Sequence, residues 1–323
     1  MVIVLNLNMA IDKTFYIDDF STGKTFRKNA DISIAGGKGV NVSRALKTLG
    51  IEYKLFGICM GFNGKLIIEK LKREKIENKI VYQKNGESRN CITVVNKKGL
   101  STDINEEGER IKRKSYNLLL KSIIDEIPQS NGLCISGRSI KGIDENFYRK
   151  IVRAAKKKNL NVYLDITSRF LKKSVEAGAD TVKINSSEFL EFSNKTNTLS
   201  NIEKTFNKYK KYGLKRFIVT DGPRDIIAVS DKEVVTLKPP VLYDFVSAVG
   251  AGDSFMAGLI YSDIQKFNFK ESSVFATACS ISDCKTLGAG IIDKNLKDII
   301  KISKRLDVLC KLGGKYGKNK RNI

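Results

Sequence analysis

Short apolar runs alternate with amphipathic segments along most of this chain, and that rhythm limits the folds open to it. "VIVLNLN" (2–8), "YKLFGIC" (53–59), "GLCIS" (132–136), "NVYLDI" (161–166), "TVKIN" (181–185) and "RFIVTD" (216–221) read as strands. Between them, "GVNVSRALKTLG" (39–50), "NGKLIIEKLKREK" (63–75), "DENFYRKIVRAAKKKN" (144–159) and "NIEKTFNKYKKYG" (201–213) read as helices. Three further helical runs begin at Ala251, Lys270 and Asn295. Buried strands separated by amphipathic helices predict βαβ units, hence an α/β protein around a mainly parallel sheet. Residues 13–35 and 88–104 break the rhythm with polar–apolar alternation and no helical period. They predict antiparallel strands exposed on one face, a small β lid over a site. The expected unit spans residues 1–310. The basic, Gly-rich tail 311–323 lacks periodicity and is expected to be disordered.

Composition narrows the chemistry. The 323 residues contain no histidine, which removes Ser-His-Asp and Cys-His catalysis and the commonest transition-metal ligand. Acid–base work must fall to carboxylates, Lys, Tyr or Cys. The six cysteines are far apart with no C-x-x-C pair, so they read as reduced core thiols of a cytoplasmic protein. "MVIVLNLNMAID" has no basic n-region and reads as a buried first strand, and no apolar run nears membrane-spanning length. The net charge of +23 invites a nucleic-acid reading, but the lysines are spread over most helices at solvent-facing positions. A lysine-rich solvated surface is therefore expected, with neither nucleic acid nor membrane as partner.

Three glycine-bearing segments compete for the site. "STGKT" (21–25) imitates the end of a phosphate-binding Walker loop. However, Asp18 stands where the first glycine is required, and the following "FRKNADISI" looks extended rather than helical, so it reads as a lid turn. In "AGGKGVNVSRALKTLG" (35–50), Gly36 and Gly37 end an extended run and Lys38 adds a cation. Asn41 can hydrogen-bond hydroxyls from the helix start, which suits an anionic, hydroxyl-rich ligand or an ordinary strand-to-helix turn. In "SAVGAGDSFMAG" (247–258), Gly250, Ala251 and Gly252 can turn successive N–H groups toward an anion at a helix start. Asp253 beside them is either a helix cap or a base that takes a proton from an attacking hydroxyl.

These two glycine segments, in this order, resemble the two signatures of the PfkB/ribokinase family of sugar kinases. The chain is most similar to the branch containing 1-phosphofructokinase and tagatose-6-phosphate kinase. "LNLNMAIDKTF" (5–15), "GESRNCI" (86–92), "STDINEEGERI" (101–111), "VKINSSEF" (182–189) and "VTDG" (219–222) also resemble segments of that branch. The resemblance implies a ribokinase-like three-layer sandwich with a β lid, ATP as donor and Mg²⁺ as cofactor. It implies Asp253 as base and Gly250, Ala251 and Gly252 as the anion cradle. Asp12 and Asn41 would orient sugar hydroxyls beside Gly36 and Gly37, and Lys38, Arg89, Ser136 and Arg138 would lie on the phosphorylated acceptor. Lys183, Asn185, Thr220, Asp221 and Gly222 would lie on the nucleotide, with Asn185 and Glu188 on the metal through water. A homodimer through the lid sheet is a further expectation.

Departures from the branch pattern bear on substrate choice. Met9 replaces a proline, "SGRSI" (136–140) puts Arg138 near the expected sugar phosphate, and "DITSR" (165–169) and "GPRDI" (222–226) differ as well. Fructose 1-phosphate and tagatose 6-phosphate are both expected acceptors, with an unphosphorylated sugar or nucleoside as runner-up. A sugar-phosphate-binding protein with little turnover is the reading from another class.

Overall fold

β1 (Val2–Asn6) is buried along its whole length, as an uninterrupted apolar run requires of a strand covered on both faces. The computed structural model describes residues 1–97, 99–166, 168–312 and 315–318. After β1 the chain builds β2 (Ala10–Tyr16) and β3 (Ile32–Gly36) of a small second sheet, then returns through α1 (Lys38–Thr48). β4 (Tyr53–Met60), α2 (Gly61–Arg73) and β5 (Asn78–Gln83) extend the main sheet. β6 (Arg89–Val95) and β7 (Ser101–Asn105) complete the small one. The βα rhythm resumes with α3 (Arg113–Glu126), β8 (Gly132–Ser136), α4 (Glu145–Lys157), β9 (Asn161–Asp165), α5 (Ser168–Val175) and β10 (Thr181–Asn185). It ends with α6 (Ser186–Ser193), α7 (Leu199–Lys210) and β11 (Arg216–Thr220).

A hairpin of β12 (Ile226–Ser230) and β13 (Glu233–Lys238) precedes α8 (Ala251–Ile264), α9 (Phe269–Asp283) and α10 (Leu296–Ser303). β14 (Asp307–Leu312) and β15 (Lys315–Lys318) follow. The main sheet runs β15-β14-β13-β12-β11-β10-β9-β8-β1-β4-β5, parallel from β11 to β5 and antiparallel at the other edge. Alternation along β1 divides the core. Ile3 and Leu5 pack with Leu119 and Phe147 on one face, and Val2 and Val4 pack with Val42 and Leu259 on the other. This is the three-layer α/β sandwich that the sequence predicts.

The small sheet, ordered β3-β2-β6-β7, is the expected lid, with three differences, the first being that β2 and β6 pair parallel where only antiparallel strands are expected, since β3, α1 and the β4–β5 unit separate them along the chain. Its first strand starts at Ala10 because Ala10 and Ile11 are buried at the lid's base, and residues 17–31 contain no strand. The expectation of a disordered tail from residue 311 also meets a difference. Lys311 and Leu312 close β14, and residues 315–318 pair as β15, while residues 313–314 and 319–323 lie outside the described residues. The open edge of an antiparallel strand offers N–H and C=O groups that any backbone can satisfy, so lack of side-chain periodicity does not forbid a strand there.

Candidate active site

The site lies at the C-terminal ends of the parallel strands, where two cavities meet. The larger, about 990 Å³, is lined by Lys183, Asn185, Thr220 and Gly222 on one side. The first turn of α8 and the apolar segment Pro239–Phe245 face them. The smaller, about 270 Å³, lies under the lid against Asp12, Asn41, Arg89 and Cys91. Lys38, Gly250 and Asp253 line both. Parallel α/β sheets place ligand crevices at this edge, and α1 and α8 both start there.

Close approach of backbone explains the glycines. A methyl group at Gly36 would land inside the Asp12 carboxyl group, and one at Gly252 would lie 2.5 Å from Lys183 Nζ. Gly250 caps α8 at φ +92°, and a methyl there would fall 2.5 Å from the Gly290 nitrogen. The N–H of Ala251 donates to Ala248 at 3.2 Å, and those of Asp253 and Ser254 donate to Gly250. The N–H groups of Gly250 and Gly252 have no acceptor among the described residues, so both are free for an anion.

Charge is organised around Asp165, a residue the sequence reading leaves out of the site. It is fully buried and accepts from Lys38 Nζ at 2.7 Å and Lys183 Nζ at 2.9 Å. Burial pushes its carboxyl up, but the two ammonium groups outweigh burial and hold it at about 2. Lys38 also binds Glu188 Oε1 at 2.9 Å. Burial works against its ammonium, yet Asp165, Glu188 and Asp253 raise its pKa. Asp253, 5% exposed, is pushed up to about 7 by burial and then by Asp165. Lys38, Lys183 and the 2.8 Å hydrogen bond from Asn41 Nδ2 pull the other way. A carboxylate near 7 is a general base poised for neutral pH. Asp12 is likewise raised by burial, against Arg89 and Arg44.

Other expected residues are placed unevenly. Arg89 lines the smaller cavity and donates to the carbonyls of Asn8 and Glu106, both at 3.3 Å. Asn41 reaches Asp253 as well as the cavity. Glu188 and Asn185 form a capping box at the start of α6, and Glu188's second oxygen is taken by Lys38. Asp221 does not line the large cavity; it accepts from Ser186, Asn197 and Arg224. Ser136 is buried with its hydroxyl unpartnered, and Arg138 is exposed; neither lines the cavities. The turn at Gly137, whose N–H donates to the Asp165 carbonyl at 2.8 Å and whose φ is +108°, carries Arg138 outward. Of the departing "DITSR" segment, Asp165 stands at the centre of the site and Thr167 lies outside the described residues.

Several residues at the site escape sequence reasoning. Asp165 ends a strand opposite Ser136 in register, and strand ends at this edge are the one signal that could have raised it. Asn6 accepts from the N–H groups of Gly39 and Val40 at 2.6 and 3.3 Å, holding the glycine turn from below.

Comparison with known proteins agrees with this geometry. The chain is 29% identical over 261 residues to 1-phosphofructokinase of Bacillus subtilis, covering 80% of this chain and 84% of that one. It is 25% identical over 313 residues to tagatose-6-phosphate kinase of Staphylococcus epidermidis, covering 96% and 99%. Among solved structures, a protein named possible 1-phosphofructokinase from Thermotoga maritima matches with a TM-score of 0.85 at 24% identity, over 98% and 99%. The tetrameric inhibited form of Escherichia coli phosphofructokinase-2 matches with a TM-score of 0.81 at 21% identity, over 94% and 97%. A model of the pfkB family carbohydrate kinases matches residues 6–295, a span that includes every residue lining the two cavities. The chain therefore belongs to that family and is an ATP-dependent carbohydrate kinase.

Proposed function

We propose that the acceptor is a ketohexose phosphate, fructose 1-phosphate or tagatose 6-phosphate, phosphorylated on a primary hydroxyl to the bisphosphate. The observation that carries the reading is the junction at Asp253: it lines both cavities together with Lys38 and Gly250. In transfer, the acceptor oxygen bonds to the γ-phosphorus of ATP, the bond from that phosphorus to ADP breaks, and the hydroxyl proton passes to Asp253. Lys183, Lys38 and the Gly252 N–H offset the charge on the moving group. Arg89 holds the acceptor's own phosphate, and Asp12 its hydroxyls.

Mg²⁺ is part of the same proposal. Among the described residues no group of three or more His, Cys, Asp or Glu could hold a metal. Asn185, on the cavity wall, and Glu188 behind it suit a cation that keeps water and phosphate ligands. Bound there, Mg²⁺ would neutralise phosphate charge. A cytoplasmic setting fits six unpaired cysteines, and no helix among the described residues is long and apolar enough to cross a membrane. A homodimer through the lid completes the proposal.

One observation favours a second reading, an unphosphorylated sugar. The cations lining the acceptor cavity are Lys38 and Arg89, against Asp12, Asp103 and Asp253, and Lys38 is already paired with two carboxylates. Coupled ADP release with fructose 1-phosphate, tagatose 6-phosphate, fructose 6-phosphate, fructose and a nucleoside separates the two. Turnover on one of the first two at far lower KM than fructose is expected. Fructose as the better acceptor establishes the second reading, and tight phosphosugar binding without ADP release would mean a binding protein.

A further inference from the structure

One amide links Asp253 to a residue outside both cavities. Asn41 donates through Nδ2 to Asp253 Oδ2 at 2.8 Å, and its Oδ1 accepts from a terminal nitrogen of Arg44 at 3.0 Å. Arg44 follows on α1, is 9% exposed and touches neither cavity. Its Nε donates to Glu74 Oε2 at 2.7 Å. Its terminal nitrogens reach the carbonyls of Ala289 at 2.6 Å and Ala35 at 2.7 Å. Ala35 immediately precedes the Gly36–Gly37 pair. Ala289 and Gly290 back directly onto Gly250. One guanidinium thus ties together both glycine segments, which are about 200 residues apart in sequence.

An Asn side chain presents an acceptor on one side and a donor on the other, whereas a guanidinium only donates. Of the two ends of the Asn41 amide only Oδ1 can face Arg44, which leaves the Asn41 amino group facing Asp253. We infer that Arg44 is a positioning residue for phosphoryl transfer, orienting Asn41 as the donor that holds Asp253 and fixing Ala289 behind the anion cradle. The inference rests on the reading of Asp253 as base.

The other charged or titratable groups facing Asp253 are Asp165 on β9, Lys38 on α1, Lys183 on β10, Asp283 on α9 and Cys134 on β8. Arg44 is replaced by another cation in Arg44→Lys, so a shift of the limb in that variant reports the Asn41 amide rather than a lost charge. Its charge does reach Asp12 directly, which would appear as an acceptor KM effect rather than a displaced base.

The test is the pH profile of kcat/KM for wild type, Asn41→Leu, Arg44→Lys and the double variant. Losing one hydrogen bond to a buried carboxylate shifts its pKa by about one unit, so Asn41→Leu is expected to move the acid limb up by that amount. Arg44→Lys should move the limb in the same direction by less, and the double variant should go no further than Asn41→Leu alone. An acid limb unmoved in Arg44→Lys beside a lowered Tm, or shifts that add in the double variant, would overturn the assignment. Should Arg44→Lys not fold, Glu74→Gln loosens the guanidinium from its outer side and must raise the limb as well; an unmoved limb there overturns it equally. Wild-type turnover in Asp253→Asn would instead sink the base reading itself.

Discussion

Asp253 meets two opposing demands at one position. Burial and the neighbouring Asp165 raise its carboxyl to about 7, while Lys38, Lys183 and Asn41 keep it from going higher. As the proposed base it would work deprotonated, so kcat/KM is expected to fall about tenfold per pH unit below about 7 and to level above it. In stability the sign is reversed. The folded group holds its proton up to about 7 and the unfolded one only to about 3.8, so wild-type stability falls as pH rises between those values and then flattens. Asp283, also raised to about 7, chiefly by burial, adds to that trend. Asp253→Asn is thus expected to lose about two to four orders of magnitude in turnover while its Tm at pH 8 exceeds that of wild type, the gap closing toward pH 5. Kinetics and thermal melts at both pH values check both halves; a variant less stable at pH 8 contradicts the buried-charge account. Asp253 and Asn41 are legible in the sequence because small residues and a helix start frame them. Asp165 and Arg44 are not, since their roles depend on partners brought together by strand register and by helices far apart in the chain.

At the level of elements, the starts of α1 and α8 carry the site, and their glycines fail differently when substituted. Gly250 sits at φ +92° against the backbone of Ala289 and Gly290, which cannot withdraw. Gly250→Ala is expected to cost about 1–3 kcal/mol of stability together with activity. At Gly252 the obstructing atom is the far end of Lys183, a side chain that can shift, so Gly252→Ala should fold and lose less Tm than Gly250→Ala. Its penalty should fall on ATP, as raised KM and lowered kcat, because Lys183 is pushed away from Asp165 and the cavity. Equal Tm losses in the two variants would contradict this distinction. The same contrast explains what is legible among the elements. Strands that read as apolar runs, such as β1 and β8, are identifiable because both their faces are covered. α6 is eight residues held by the Asn185–Glu188 capping box, too short for a helical period to declare itself.

For the whole molecule, the decisive relation is that the lid has two faces with different tasks. On β6, Arg89, Cys91 and Thr93 point into the acceptor cavity, and on β7 Asp103 and Asn105 do so. Period-two alternation then turns Ile92 and Ile104 outward, paired with each other in register. Ile104 is 60% exposed, and Leu100, next to β7, is exposed too. An outward apolar strip on a sheet whose other face is polar and functional is the surface a second copy would cover, and it continues to the exposed edge strand β7. That is the basis for the proposed homodimer. The expected mass in solution is about 72 kDa, twice the 36.1 kDa of one chain. Ile104→Asp, which leaves the cavity-facing residues untouched, should shift the protein toward 36.1 kDa in light scattering. Because the lid is then held by one sheet alone, the acceptor KM should rise in the monomeric variant while KM for ATP changes little. A wild-type protein that is monomeric at micromolar concentration would remove the lid pairing without touching the chemistry at Asp253.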